Sequence, residues 1–296
     1  MSSAPNANDF IERQLDRCIR EIERVLDADA LSFSGPLVFG VDDVFRAAVE
    51  EKRGESSGRN KLAVILTTGG GFIEVVQRIV DTLRRHYSVV DFVVPNYAYS
   101  AGTVLVMSGD AIRMDYYSRL GPIDPQVQSQ TGRTTVPALG YLERYRDLID
   151  KAAAGKITTA EMQVLMGFDQ GELYQYEQAR ELSIALLKEW LVKYKFKNWK
   201  ITRTRKKKVT KQMKTARAAM IARNLNNTKK WHVHGYGISK DVLERDLNLQ
   251  IDDFGQNADL SKCVRQYHDL LSDYMSKLRQ SGVVHFADHY RPFMTD

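Results

Sequence analysis

Hydrophobic and polar positions along this chain follow two periods, one typical of buried strands and the other of helices. Short apolar runs at Leu62–Leu66 and Val89–Val94 are rich in Val, Ile, Leu and Phe, as expected for strands buried on both faces. After a few turn-forming residues, each run is followed by apolar positions at helical spacing, over Ile73–Leu83 and over Ala101–Met107. This alternation predicts an α/β fold with a mostly parallel sheet.

The same patterns predict the remaining elements and the organisation of the chain. The further predicted elements are helices over Asp9–Leu26, Val41–Arg53, Glu172–Tyr194, Lys240–Leu247 and Leu260–Leu278, and strands over Ala30–Val38 and Asp110–Tyr116. We expect four segments: an N-terminal helix at 1–29, a catalytic core at 30–158, a helical arm with a basic segment at 159–230, and a return to the core with a C-terminal helix and tail at 231–296. The tail Val283–Asp296 is rich in aromatic residues and is expected to pack on a neighbouring subunit.

Composition limits the class of protein. With 296 residues, of which 43% are hydrophobic, the chain can bury a full core. Cys18 and Cys263 are far apart and lack metal-ligand spacing, which indicates a reducing compartment without a disulfide framework. Neither a basic and apolar leader nor an apolar run of membrane-spanning length is seen. We therefore expect a cytoplasmic protein without a transmembrane segment.

Two strand-to-helix turns carry the candidate chemistry. Ser100 begins a helix, where a serine is ordinarily an N-cap, but the unpaired N–H groups of such a helix start also favour a developing negative charge. Upstream, the three glycines Gly69–Gly71 allow backbone N–H groups to point at a bound atom. A nucleotide site is the rival interpretation, although neither glycine-rich phosphate-binding pattern is present. A glycine turn paired with a serine turn favours acyl chemistry.

Four motifs in order resemble those of the serine dehydrogenase proteinase family. The motifs are TTGGG at Thr67–Gly71, AYSAGT at Ala98–Thr103, GDAIRM at Gly109–Met114 and LGPIDPQ at Leu120–Gln126, and a later WHVHGYGIS at Trp231–Ser239 resembles the His-containing motif of the same family. That family is similar to signal peptide peptidase A and, more distantly, to the Clp protease subunit and the crotonases.

This resemblance implies a Clp/crotonase-like spiral of strand–strand–helix units with a helical arm that mediates homo-oligomerisation. It also implies that Ser100 is the nucleophile and that the amides of Gly70 and Ala101 bind the oxyanion. The residues expected to bind the substrate are Gly69, Gly71 and Pro122. No metal or cofactor is required by this chemistry.

The general base has several candidates. The Clp subunit uses a histidine shortly after its serine. Here the corresponding segment Leu120–Gln126 contains Asp124 but no histidine, and Asp124 is expected to orient whichever base is used. Signal peptide peptidases use a lysine on a later helix, and Lys151 is favoured over Lys156 because it precedes three alanines, where a lysine can be buried and its pKa lowered. His234 is the alternative base, although a polar turn is the more ordinary role for HVHG.

The histidines are not expected to form a metal site. His232 and His234 lack a third ligand at suitable spacing. The remaining histidines are expected to be peripheral, and they are His86, His268, His285 and His289.

A basic block follows the predicted long helix and suggests a partner. Lys193–Lys214 concentrates positive charge around Tyr194, Phe196 and Trp199, a pattern that is compatible with nucleic acid or an acidic partner. A solvated charged face is the alternative, since no nucleic-acid motif accompanies the charge.

These observations favour a serine hydrolase, and specifically a peptidase that acts on polypeptide through an acyl-enzyme. One alternative is a non-catalytic oligomeric scaffold of the same fold that binds nucleic acid or protein through its basic arm. Another is crotonase-type acyl-CoA chemistry, which would use the same oxyanion geometry.

Overall fold

A computed structural model describes residues 6–55, 58–124, 126–128, 135–202, 204–231 and 235–295 of the chain. The helices are α1 Ala7–Leu26, α2 Val41–Glu55, α3 Ile73–His86, α4 Ala101–Met107, α5 Ala138–Ala153, α6 Thr159–Met166, α7 Gln170–Trp190, α8 Lys211–Leu225, α9 Thr228–Trp231, α10 Lys240–Leu247 and α11 Ala258–Lys277, with a π-helical turn at Leu191–Lys195 and a 3₁₀ turn at Phe254–Gln256. The strands are β1 Asp29–Ser34, β2 Lys61–Thr67, β3 Val89–Val93, β4 Tyr97–Ala98, β5 Ala111–Met114, β6 Arg119–Leu120, β7 Gln126–Gln128, β8 Thr135–Pro137, β9 Ile238–Ser239, β10 Asp252–Asp253, β11 Gln280–Phe286 and β12 His289–Thr295.

The main sheet has seven strands in the order β10-β5-β3-β2-β1-β11-β12. The five strands from β10 to β1 pair in parallel, and β11 and β12 add an antiparallel edge. The predicted α/β fold with a mostly parallel sheet is therefore confirmed.

Alternating side chains of the central strands pack against two separate layers of helices. In β2, Leu62, Val64 and Leu66 belong to the larger core, which also contains the buried faces of α2, α3, α4 and α7. Ala63 and Ile65 point to the opposite face, where α1 and α11 complete the second core. This alternation follows from the period of two in an extended strand, and every one of these residues is buried because both faces are covered.

A second, smaller sheet is formed where the chain leaves the main sheet. Its order is β4-β6-β9, so β3 and β5 in the large sheet are each followed by a short strand in the small one. The end of β2 joins in through a parallel bridge between Thr68 and Ala98. A strand in each sheet followed by a helix, as in β3–β4–α4, is the strand–strand–helix unit that the resemblance implied.

Helix α11 fixes the carboxyl ends of two main-sheet strands. Arg265 donates a hydrogen bond to the carbonyl of Pro95, just after β3, at 2.5 Å, and pairs with the buried Asp115, just after β5. Burial raises the pKa of the Asp115 carboxyl, but the hydrogen bond from Arg265 and those from Tyr117 and Ser118 outweigh it and lower the pKa. The segments that leave β3 and β5 towards the candidate site thus start from fixed points.

The C-terminal tail forms a hairpin at the edge of the main sheet. Its residues belong to β11 and β12, antiparallel strands in which His285 pairs with Tyr290, and its packing on a neighbouring subunit stays a prediction. The hairpin lies there because β1 leaves an unpaired edge, and the apolar residues Val283 and Phe286 are buried when β11 covers it.

The arm helices pack partly on one another. Leu142 of α5 and Leu173 and Tyr176 of α7 form a small third core, whereas the C-terminal part of α7 joins the larger core through Trp190. In the described parts of the chain, we find no helix with the length and apolarity required to cross a bilayer.

Candidate active site

Ser100 occupies a strained turn at the start of α4. It is the N-cap residue of the helix, with φ 53° and ψ −121°, and its side chain makes no capping hydrogen bond. A non-glycine residue at positive φ is uncommon outside special sites, and such strain persists only where the surrounding structure enforces it. The ordinary N-cap role is therefore not the reason that a serine stands at this position.

Backbone pairing brings the glycine turn to the serine. Thr68 N–H donates to Tyr97 O at 3.1 Å, and Tyr99 N–H donates to Thr68 O at 3.0 Å, so the residues after β2 run beside those that precede Ser100. On the other side of the turn, Leu37 N–H donates to Gly70 O at 2.9 Å. The glycine turn is thus held between the extension of β1 and the Ser100 segment.

The two turns are in direct contact. A Cβ atom added to Gly70, whose φ is 102°, would lie 2.7 Å from Ser100 Cβ and 3.2 Å from Ser100 Oγ. Similarly, a Cβ on Gly102 would lie 2.4 Å from Thr68 Cγ2. Glycine is required at both places because any side chain would separate the turns. The serine turn and the glycine turn therefore meet, as the motifs predicted.

In this arrangement the Ser100 hydroxyl is closed off from solvent. Ser100 is 0% exposed, and its hydroxyl donates to the main-chain carbonyl of Asp124 at 2.5 Å. The Gly70 N–H donates to Thr68 Oγ1 at 3.0 Å. Both the hydroxyl and one expected oxyanion donor therefore have partners within the protein, and a substrate would have to replace them.

Thr103 fixes the loop that covers the serine. Its Oγ1 lies 2.8 Å from Ala98 O and accepts a hydrogen bond from Gly121 N–H at 2.9 Å. This hydroxyl, buried like that of Thr68, connects the segment before Ser100 to the loop that leads to Asp124. Sequence reasoning assigned no role to either threonine, although both stand inside the motifs TTGGG and AYSAGT, and a hydroxyl next to a glycine or serine turn was the available signal.

Asp124 contacts Ser100 with its main-chain carbonyl and not with its carboxylate. Its carboxylate accepts a hydrogen bond from Leu139 N–H at 2.9 Å, at the start of α5, and its side chain is buried. The predicted role of this carboxylate in orienting a base stays a prediction. Pro122 belongs to the same loop, whose next residue Ile123 donates its N–H to Leu225 O at 3.1 Å.

Lys151 is exposed, so the expectation that it is buried is wrong. Its Nζ lies 2.5 Å from Glu161 Oε1, and its side chain is 45% exposed. The hydrogen bond from Lys151, together with those from Thr158, lowers the pKa of Glu161 to about 2. The three alanines after Lys151 do not bury it, and the lysine pairs instead with Glu161 of the short helix α6. Lys156, the weaker candidate, is exposed as well.

The histidines of the late motif, His232 and His234, lie outside the described residues. Residues on both sides of them are connected to the loop next to Ser100. Asn226 donates its Nδ2–H to Ile123 O at 2.9 Å, and Ile238 in β9 pairs with Leu120 in β6.

His285 is buried in the layer of α1 and α11, away from the candidate site. It is 0% exposed, and its Nδ1 lies 2.8 Å from Tyr267 Oη while its Nε2 lies 3.1 Å from Asp16 Oδ1. These contacts join β11 to α11 and α1 in the second core. The side chains of His285, Tyr267 and Asp16 hold the C-terminal hairpin against these helices. They lie on the face of the main sheet opposite α4.

Among the described residues, one cluster has side chains that could hold a metal ion, and it comprises Glu51, Glu55 and His289. His289 Nε2 lies 2.9 Å from Glu55 Oε1 and His289 Nδ1 lies 3.2 Å from Glu51 Oε1, while Arg291 also pairs with Glu51. The arginine brings positive charge to the place that a cation would occupy. Ion pairing between α2 and β12 accounts for the cluster.

A serine at a strained strand-to-helix turn with backbone amides beside it is the kind of arrangement that serine hydrolases use. Residues 53–189 match the model of the ClpP-like SDH-type serine proteinase family, and this match confirms the resemblance predicted from the motifs. The matched segment includes the glycine turn, Ser100, Asp124 and Lys151.

The chain is similar to two curated relatives and, among solved structures, to two Clp proteases. Both relatives are uncharacterized proteins of Methanocaldococcus jannaschii. The first is 28% identical over 144 residues, which are 44% of this chain and 46% of the relative. The second is 34% identical over 76 residues, which are 26% of this chain and 27% of the relative. The chain thus matches less than half the length of either. The first structure is ClpP1 from Listeria monocytogenes, which is 11% identical with a TM-score of 0.41 and covers 78% of this chain and 94% of its own. The second is the ClpP protease catalytic domain from Plasmodium falciparum, which is 10% identical with a TM-score of 0.43 and covers 86% of this chain and 93% of its own.

Proposed function

We propose that this chain is a serine peptidase that forms an acyl-enzyme on Ser100. The observation that carries the proposal is the direct contact between Gly70 and a serine held at positive φ. The family match to serine proteinases supports a peptide bond as the target. We also propose, from the resemblance of the motifs, that the active form is a homo-oligomer that acts on polypeptides.

In the proposed reaction, Ser100 Oγ attacks the carbonyl carbon of a peptide bond, and its proton passes to a general base. The amides of Gly70 and Ala101 bind the oxyanion that forms. When the tetrahedral intermediate collapses, the C–N bond breaks, the amine leaves with a proton and an ester with Ser100 remains. Water then attacks the ester, which releases the acid and restores the hydroxyl.

The reaction requires two exchanges of hydrogen bonds. The Ser100 hydroxyl must leave the carbonyl of Asp124, since a peptide carbonyl is no proton acceptor at neutral pH, and Gly70 N–H must leave Thr68 Oγ1. We propose that the described arrangement is a resting form and that substrate binding moves the loop that carries Asp124.

Substrate would enter beside the exposed residue of the glycine turn. Gly69 is exposed, whereas Gly70 and Gly71 are buried. Gly71 already pairs with Leu37, so we assign it the role of fixing the turn, and Gly69 and Pro122 that of lining the entry.

For the general base, we now place His234 ahead of Lys151. The support is indirect: the described residues that flank the late motif are hydrogen-bonded to the loop next to Ser100, while Lys151 is exposed and paired with Glu161. An exposed lysine that donates to Glu161 is poorly placed to accept the proton of Ser100.

Labelling by a fluorophosphonate tests the nucleophile. Wild-type protein is expected to be labelled at Ser100, and Ser100→Ala is expected to abolish the labelling, because the reagent needs an activated serine hydroxyl. Ser108→Ala is the matched control, since Ser108 is also buried at an end of α4 but donates only to Leu105 O at 2.7 Å. Labelling that survives Ser100→Ala, or an unlabelled wild type in every oligomeric state, would leave the non-catalytic scaffold as the better assignment.

Two substitutions separate the candidate bases. His234→Gln is expected to lower the labelling rate and kcat by about 10²-fold or more, because the hydroxyl would lose its proton acceptor, while Lys151→Met is expected to leave both within about threefold of wild type. His232→Gln serves as the neighbouring control. The reverse ranking of the His234 and Lys151 variants, measured as kcat on a peptide substrate, would restore the lysine as the base.

A further inference from the structure

A large cleft lies at the edge of the main sheet opposite the serine. Its volume is about 1350 Å³, and its lining includes Asp110 and Ala111, where β5 begins, and Asp252 of β10. Ser100 precedes the first residue of α4, whereas Asp110 lies beyond the last, so the helix separates the two places. The cleft is therefore distinct from the proposed catalytic site.

The opposite wall is an extended loop of the basic block. Val209 N–H donates to Lys200 O at 2.8 Å and Thr202 N–H donates to Lys207 O at 2.9 Å, which pairs the two arms of the loop. Arg205 and Lys207 line the cleft, while Lys206 and Lys208 do not. Lys206 has a positive φ of 50° next to the turn between the arms, and only part of the basic block is directed at the cleft.

Lys195 brings a half-buried ammonium to the lining. Burial lowers the pKa of this ammonium, and attraction by Asp252, Asp91 and Asp110 opposes that shift. Two of these carboxylates are also engaged elsewhere: Asp91 pairs with Arg113 at 2.9 Å, and Asp110 pairs with Arg84 at 2.7 Å. A bound anion would add an opposite charge next to Lys195 and stabilise its ammonium form.

The lining carries both charges but has an excess of positive charge. Its charged residues are Lys195, Lys200, Arg205, Lys207 and Arg217 on the basic side and Asp110, Glu244 and Asp252 on the acidic side. Asp110 and Asp252 lie near Arg84 and Arg113, which do not line the cleft, so Glu244 is the acidic residue without such a neutralising arginine. Apolar surface is added by Ile201, which is 60% exposed.

We propose that this cleft binds an acidic segment of a polypeptide, as a docking site separate from Ser100. The purpose of docking, which is delivery of a substrate, rests on the proposed peptidase function; the binding itself does not. Pockets for small ligands have volumes of roughly 300–1,000 Å³, and this cleft exceeds that range. A polymer with spaced carboxylates matches its size and charge.

A nucleic acid fits the lining less well than a peptide. Single-stranded nucleic acids need exposed aromatic faces for stacking and a groove of one charge sign. Here the ring of Trp199 is covered by Phe196, at 5.6 Å between centroids, and by Arg217, whose guanidinium lies 5.9 Å from the ring centre.

Binding of labelled peptides tests the site. The full chain carrying Ser100→Ala is titrated into a fluorescein-labelled glutamate-rich peptide and into its counterpart with glutamine at every glutamate, and fluorescence anisotropy is recorded. The glutamate peptide is expected to bind roughly tenfold more tightly or better, with an affinity that falls as salt is added. Because no cleavage is needed, this result is independent of the proposed peptidase activity.

A matched pair of charge reversals localises the binding. Arg205→Glu/Lys207→Glu is expected to weaken the glutamate peptide roughly tenfold or more, and Lys206→Glu/Lys208→Glu, with the same change in net charge, is expected to weaken it by less than about threefold. Lys195→Met, checked for folding by its melting temperature, is expected to reduce the preference for glutamate over glutamine. Equal binding of the two peptides, equal effects of the two double variants, or displacement of the peptide by an oligonucleotide of similar charge at lower concentration would each overturn the proposal.

Discussion

Replacing Gly70 with alanine is expected to lower kcat and the rate of fluorophosphonate labelling by about 10²- to 10³-fold, which is the effect of losing one oxyanion donor. The new Cβ would lie 2.7 Å from Ser100 Cβ and 2.8 Å from Tyr99 O. One of these contacts is with backbone, so the glycine turn must move away from the serine, and the Gly70 N–H moves with it. The measurement is kcat on a peptide substrate, with thermal melting of the same preparation.

The control for Gly70→Ala isolates backbone strain from loss of the contact. Gly40 has a similar φ of 91°, but a Cβ there would meet nothing within 4 Å. Gly40→Ala therefore carries the strain of a positive φ without touching Ser100, and we expect it to keep the wild-type kcat. If Gly70→Ala kept wild-type kcat and labelling rate, Gly70 would be excluded as an oxyanion donor and the glycine turn would be only structural.

The elements that could be predicted are those whose sequence pattern is local. Helix α4 has the predicted bounds Ala101–Met107, and α10 has the predicted bounds Lys240–Leu247. The strands predicted at Leu62–Leu66 and Val89–Val94 are found within one residue at each end. Both strands are buried on both faces, so an uninterrupted apolar run identifies them, and the glycines and Ser100 then mark where the chain turns.

The features that could not be predicted depend on distant partners. The spacing of Lys151 after Ser100 indicates a helix but contains no information about what covers that helix, and α5 leaves the lysine exposed. Likewise, the aromatic tail has no local signal that its partner within the chain is the free edge of β1. His285 is buried for the same reason, because the hairpin places it against Tyr267.

The candidate site falls between these two cases. Motif residues predict which two turns meet, since both follow parallel strands of one sheet. They do not predict the positive φ of Ser100 or the hydrogen bond from its hydroxyl to Asp124 O, because backbone torsions and main-chain acceptors leave no trace in residue type outside glycine and proline. The closed arrangement of Ser100 is therefore visible only in three dimensions.

The adjacent glycine is expected to control stability. Gly71 has φ 149°, and a Cβ on it would lie 2.2 Å from Leu37 O and 2.7 Å from Leu37 C. Both are backbone atoms, and the Leu37 oxygen also accepts the Phe72 N–H at 2.8 Å, so they are unable to withdraw without breaking the bridge between β1 and the turn. Overpacking and strain of this kind together lower the free energy of unfolding by about 3 kcal/mol or more.

Gly71→Ala should therefore melt roughly 6–12 °C below wild type, given about 2–4 °C for each kcal/mol in a chain of this size class. Gly69→Ala, two residues away, is the control: a Cβ there meets nothing within 4 Å, and its stability is expected to be unchanged or to rise by up to about 1 kcal/mol. The melting temperatures of the three proteins, followed by circular dichroism, check both expectations. Equal melting temperatures for the two variants would show that the Leu37 bridge does not hold the glycine turn, and the position of the Gly70 amide beside Ser100 would then need another cause.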